Sequence, residues 1–164
     1  MRPLLLVLAT CLTLFFASCT KINPIPVTDA TYTAKKGTVT ITTPDTTYTY
    51  TTPGDQVYFS SGATYFNIAC YRDNLTSFNI TSTDQVSANS LLNIYEFHLY
   101  GLYKSTSQVY TNTTATNIGM ISLTDLNTNG NGVTGSFTAN IAKAGNGSQT
   151  STQYYTITGK FNLN

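Results

Sequence analysis

Hydrophobic and polar residues alternate with a period of two along most of this chain, which predicts strands rather than helices. In "GTVTITT" (37–43), Val39 and Ile41 share one face. After a Pro44-Asp45 turn, "TTYTYTT" (46–52) places Tyr48 and Tyr50 together. Pro53-Gly54-Asp55 turns the chain again. "QVYFS" and "TYFNIACY" follow, the second with Phe66, Ile68 and Cys70 on one face. Arg72-Asp73-Asn74 reads as a turn and "LTSFNIT" as the next strand. Residues 82–90 are polar and read as loop. "NIYEFHLYGLY" (93–103) then alternates, with Tyr95, Phe97, Leu99 and Tyr103 together.

The last third gives three more strands, "NIGMISLTDL", "VTGSFTANI" and "QYYTITGKFNL", joined by "NTNGNG" and "AKAGNGSQTS". Alternation aligns Val133, Gly135, Phe137, Ala139 and Ile141, and likewise Tyr155, Ile157, Gly159, Phe161 and Leu163. A glycine inside a strand marks a bulge or a close approach, so Gly135 and Gly159 are expected to make room for neighbouring aromatic rings. The fold expected is one all-β domain over 37–164. It is an antiparallel β-sandwich of about eight or nine strands, with a β-barrel, closed or partly open, as the alternative. A barrel would imply an internal ligand cavity.

The amino terminus is patterned differently. Arg2 precedes an apolar run from Pro3 to Phe16, followed by "ASC" at 17–19. A basic start, a short apolar core and small residues make an export signal, and the run is too short to read as a spanning helix. Residues 1–18 are the expected signal peptide. "FFASC" resembles a bacterial lipobox, which makes Cys19 the lipidated first residue of the mature chain. The alternative is an ordinary signal peptide cut near Ser18. Residues 19–36, with Pro24 and Pro26, read as an extended tether. Two or three acyl chains would anchor the protein stably where one would not.

Composition then narrows the function classes. The chain has 8 Lys and Arg against 7 Asp and Glu, and loss of Arg2 balances the two. That gives no electrostatic reason to expect nucleic acid or a charged membrane surface as partner. Of 3 cysteines, Cys11 leaves with the signal and Cys19 carries lipid, so Cys70 stays a free, core-facing thiol and no disulfide is expected.

"GMISLTDLNTNGNGVTGSFTANI…YYTITGKFNL" resembles the end of small Bacteroidota envelope lipoproteins grouped as a DUF6252-like domain of unknown function. The matching residues are Gly135-Ser136-Phe137 and Gly159-Lys160-Phe161. The resemblance covers about 117–163, agrees with the lipobox, and implies an envelope lipoprotein without an assigned activity. Thr20, rather than Asp, follows Cys19, which favours the outer membrane, and no acidic cluster directs the protein outward, which favours the periplasmic leaflet.

Candidate chemistry is thin. His98 is the only histidine and alternates with Glu96 on the polar face. A solvent-facing polar pair explains it better than an acid–base pair. "DLNTNG" offers Asp125, Asn127 and Asn129 as weak calcium ligands, but Ser136 stands where a bidentate Glu belongs. The Asn-Gly steps are also hairpin residues. Asp45-Thr46-Thr47 resembles an O-glycosylation signal of exported Bacteroidota proteins, with Thr46 as acceptor. Tyr48, Tyr50, Tyr58 and Tyr100 are expected to stand partly exposed and to suit a sugar, although the chain has no Trp. No resident metal or cofactor is expected, and no catalytic set emerges. The reading is a non-catalytic binding or structural module of the envelope, with an envelope protein as partner. A glycan or small-ligand binder is the alternative.

Overall fold

Thr, Tyr, Val and Ile suit a pleated, half-buried surface, and the alternating segments fold as strands. A computed structural model describes residues 33–73, 76–104, 106–112, 118–127, 132–144 and 153–164, all within one unit, Thr31–Asn164. The strands are β1 (Thr33–Ala34), β2 (Gly37–Thr42), β3 (Thr47–Thr51), β4 (Gln56–Gly62), β5 (Tyr65–Asp73) and β6 (Thr76–Ser82). They continue as β7 (Leu91–Asn93), β8 (Glu96–Tyr103), β9 (Thr106–Asn112), β10 (Gly119–Leu126), β11 (Val133–Ala144) and β12 (Tyr154–Leu163). All pairings are antiparallel, and the described residues contain no helix.

The strands form two sides of one nearly closed, barrel-like sheet. One side runs β1-β4-β5-β6-β8-β9 and the other β7-β10-β11-β12-β2-β3. Two segments turn the corners. The body of β11 pairs with β10 and β12, and its end, Lys143–Ala144, pairs with β9. The segment from Thr33 to Thr42 pairs first with β4 and then with β12. Between them the Lys35 amide donates to the Val57 carbonyl, and Lys36 and Asn164 exchange both backbone bonds. The expected sandwich and its barrel alternative therefore meet in one architecture, two facing sides joined at both corners.

Strand β1, Thr33–Ala34, lies within the segment expected as tether. Gly37 itself turns the corner at φ 144°, a conformation that favours glycine, with the Asn162 carbonyl where a Cβ would stand. Cys19 and the rest of the expected tether through Tyr32 lie outside the described residues, as do the signal peptide, Asn74, Leu75 and Asn129.

The interior is filled by side chains. Val39, Ile41, Phe66, Ile68, Phe78, Ile80, Phe97, Leu99, Ile141, Ile157 and Leu163 are all fully buried. Rings from the two sides meet across the middle. Phe66 lies 6.0 Å from Phe161, and Phe137 stacks on Phe78 at 5.6 Å and meets Phe97 edge-on at 5.9 Å. Burying one such ring contributes roughly 1.5–3 kcal/mol. Gly135 and Gly159 make room for rings, as their strand positions suggested. Gly135 pairs with Phe161 and Gly159 with Phe137, and a Cβ on either would lie within 2.6 Å of the opposing ring.

One strand reading is corrected. "NIYEFHLYGLY" is not one continuous strand, because the chain leaves β7 on one side and enters β8 on the other. The Ile94 amide donates to Gly119 and the Tyr95 amide to Thr81, so the partner changes between the two residues. The crossing shifts the alternation by one. Ile94 is buried, Tyr95 is exposed, and the inward series resumes at Phe97.

Candidate functional site

The inward series of β4, β5, β6 and β8 leaves the alternate residues on an outer face, of which Asn67, Ala69 and Thr81 are themselves buried. Strand register arranges that face in rows. One row reads Gln56, Tyr71, Ser77, Tyr100 and Val109. The next reads Tyr58, Ala69, Asn79, His98 and Thr111. A third reads Ser60, Asn67, Thr81 and Glu96. Tyr58 and Tyr71 meet edge-on with ring centroids 6.2 Å apart. Tyr71 and Tyr100 stand two strand spacings apart, about 10 Å, with only Ser77 between them.

Polar groups border these rings. The Tyr58 hydroxyl donates to Gln56 Oε1 at 3.2 Å, and Tyr100 Oη lies 3.3 Å from Ser107 Oγ. His98 Nδ1 lies 3.4 Å from Thr111 Oγ1, and Thr81 Oγ1 donates to Glu96 at 3.3 Å. Asn67 Nδ2 donates to Asn79 Oδ1 at 2.7 Å. His98 and Glu96 thus share the outer face as the alternation required, each engaged with a neighbouring threonine.

Tyr58 and Tyr100 sit on this surface partly exposed, as expected. Tyr48 and Tyr50 do not, and the expectation that they stand partly exposed is corrected. Both are buried, at 7% and 1% exposure. In β3 the threonines take the outer positions and the tyrosines point inward, opposite Ile41 and Val39 of β2. The Tyr48 ring fills the space left by Gly101 on β8. The hydroxyls of Tyr48 and Tyr50 are buried without a hydrogen-bond partner among the described residues. Burial raises both phenol pKa values. Tyr71, 43% exposed, also belongs to the outer face. The inward run Phe66, Ile68, Cys70 already required Tyr71 to point out.

Two charge clusters lie away from that face. In the first, Asp45 on the β2–β3 turn accepts from the Tyr110 hydroxyl at 2.7 Å and from Lys143 Nζ at 2.5 Å. Lys143 also lies 5.6 Å from the centroid of the Tyr110 ring. The bonds from Lys143 and Tyr110 hold the Asp45 carboxyl below its usual range. Burial, with the Asp45 bond and charge behind it, pushes the Tyr110 phenol up. In the second, Arg72 Nε donates to Asp55 Oδ1 at 2.8 Å and Nη2 to Oδ2 at 3.1 Å. The Arg72 bond lowers the Asp55 pKa and raises that of Arg72. Neither cluster is visible in local sequence pattern, because the partners are 17 to 98 residues apart.

Thr46 closes the turn that carries Asp45. Its amide donates to Thr43 Oγ1 at 3.1 Å, and its carbonyl accepts from the Thr43 hydroxyl at 2.9 Å. Thr46 is partly exposed. Asp125 lies on β10 beside a bulge and pairs with Thr134, while the Asn127 amide donates to Gly132 and closes the hairpin. Among the described residues no three His, Cys, Asp or Glu side chains converge as a metal site would require. Cys70 is fully buried, which pushes its thiol pKa up and disfavours the thiolate.

The second side of the barrel carries a smaller apolar surface. Met120 of β10 pairs with Asn93, and Leu91 lies on the diagonal position of the same face. Leu91 is 63% exposed, Met120 44%, and nearby Tyr95 59%.

Comparison with family models, curated proteins and solved structures gives no significant match to this chain.

Proposed function

We propose that this protein is an outer-membrane-anchored lipoprotein that acts as a non-catalytic binding or structural module of the bacterial cell envelope. The anchor is the lipidated Cys19, and the domain faces the periplasm. This reading draws on the lipobox-like "FFASC" and on the resemblance of 117–163 to DUF6252-like lipoproteins. The observation that supports the binding role is the exposed pair Leu91 and Met120 on the β7–β10 edge of the barrel. Such a patch on an otherwise hydroxyl-rich surface suits a protein partner.

Two measurements test it. The intact mass of the native protein, extracted in detergent from its own membrane, should equal residues 19–164 plus acyl chains. A photo-crosslinking residue at position 120 should give an adduct in intact cells, while the same residue at Thr158 should not. An unlipidated chain with no adduct at position 120 would overturn the proposal.

A second reading, a glycan or small-ligand binder, is favoured by Tyr58, Tyr71 and Tyr100 standing beside amides and hydroxyls. Tyr rings present an apolar face and a polar edge, which suits a saccharide. Under this reading, weak sugar binding on a glycan array disappears in Tyr71→Ala and Tyr100→Ala and survives in Tyr95→Ala.

A further inference from the structure

The second side of the barrel begins at β7 and ends at β3, and among the described residues each of these strands has one edge that pairs with no other strand. A free edge presents unpaired amides and carbonyls and readily takes a strand from another chain. The amide and carbonyl of a strand residue point to the same side. In β3 the bonds of Thr47, Thr49 and Thr51 face the open edge, and those of Tyr48 and Tyr50 face β2.

Side chains occupy that edge. The Thr51 amide donates to Asp55 Oδ2 at 2.7 Å, and the Thr49 carbonyl accepts from the Arg72 guanidinium. Asp55 and Arg72 are bound to each other, and the guanidinium carbon lies 5.4 Å from the Tyr50 ring centroid. The pair satisfies one donor and one acceptor that a neighbouring strand would otherwise satisfy. The opposite edge repeats the device. On β7 the Asn93 amide donates to Asp84 Oδ2 at 2.5 Å, and the Asn93 side chain donates to the same oxygen at 2.9 Å.

We propose that the edge of β3 is a latent pairing surface for a second copy of the same strand, held shut by the Asp55–Arg72 plug. The segment 46–52, "TTYTYTT", carries no charge and has no proline until Pro53. Two such segments set antiparallel place Thr opposite Thr on one face and Tyr opposite Tyr on the other, so the strand is complementary to itself. No charge repels the second copy. What blocks it is the guanidinium on the Thr49 carbonyl, with the Asp55 carboxylate on the Thr51 amide and the Asp55 amide on the Thr51 carbonyl.

Sedimentation of purified full-length protein with the Arg72→Ala substitution tests this. The variant is expected to keep its β-sheet circular dichroism and to associate with rising concentration, doubling its apparent mass or more, under conditions where the wild type keeps its mass. Adding Thr49→Pro should reverse the association. It removes an edge-facing amide without touching a bond to β2, and proline is tolerated at such positions. If Arg72→Ala loses its β signal, Arg72→Met takes its place, retaining the stem over Tyr50 without the donors. A folded Arg72 variant that sediments as the wild type overturns the proposal. So does association that Thr49→Pro fails to relieve, since the contact then lies elsewhere.

Discussion

Gly135 faces Phe161 and Gly159 faces Phe137, so each strand supplies the ring that fills the other's missing side chain. A Cβ on Gly159 would lie 2.2 Å from Phe137 and 2.8 Å from the Thr40 carbonyl, and one on Gly135 would lie 2.4 Å from the Ser122 carbonyl. Backbone on one side and a packed ring on the other leave nowhere to yield. Gly135→Ala and Gly159→Ala are each expected to cost about 1–3 kcal/mol, read as a lower urea midpoint with an unchanged slope. The buried tyrosines divide differently. Tyr110→Phe should lose about 1–2 kcal/mol, because it deletes a bond to an ionised carboxylate. Tyr50→Phe should be neutral or stabilising, because its hydroxyl is buried without a partner among the described residues. The alternation in the sequence showed that Tyr48 and Tyr50 share a face, but not which face turns inward. In a chain rich in Thr, the bulkier tyrosine becomes the core residue wherever threonine is its alternate, as in β3.

Strands bounded by clear turns were legible for a physical reason. In β2, β3, β11 and β12 one face is buried, and a one-residue slip would invert the pattern. Reading failed where a strand changes partners. β7 and β8 looked like one strand because each half alternates correctly, and only the shift at Ile94-Tyr95 betrays the crossing. The charge clusters were illegible for a related reason, since they bind elements that meet only after folding. Asp45 joins the β2–β3 turn to β9 and β11, and Asp55 joins the β3–β4 turn to β5. Both carboxyls titrate below their usual range in the folded chain. Between its folded and unfolded pKa, the unfolded form of each binds more protons, so the contribution is complete above the unfolded value and falls as pH drops through the folded one. Urea midpoints should therefore decline below about pH 4. Asp45→Asn and Asp55→Asn should each lower the midpoint at neutral pH and flatten the decline on acidification. An unchanged acid limb in both variants would mean that these pairs do not set the acid stability.

At the scale of the whole molecule, the two ends of the described chain are held together. Lys36 and Asn164 exchange backbone bonds, and β12 is paired along one edge with β11 and along the other with β2. No local pattern announces this. The segments "GTVTIT" and "TGKFNL" read simply as two strands, and their partnership depends on the chain returning to its beginning. The consequence is that β12 belongs to the middle of the sheet although it comes last in sequence. Ending the chain at Thr158 removes Gly159, Phe161 and Leu163, three buried positions, and leaves Val39 and Ile41 of β2 without a neighbour on that side. It also strips the ring of Phe161 from Phe66 across the barrel. Because β2 then keeps only β3 and its continuity with β1 and β4, the damage reaches the β2–β3 turn and the Asp45 cluster beyond it. The shortened chain is expected to lack a cooperative unfolding transition, with the loss visible in near-ultraviolet tyrosine dichroism. Removal of Asn164 alone should leave the transition in place at a lower midpoint, since it breaks only the end pair with Lys36. Cooperative unfolding in the chain ending at Thr158 would show that the β4–β9 side is stable by itself, and that closure through β12 adds stability without being required for the fold.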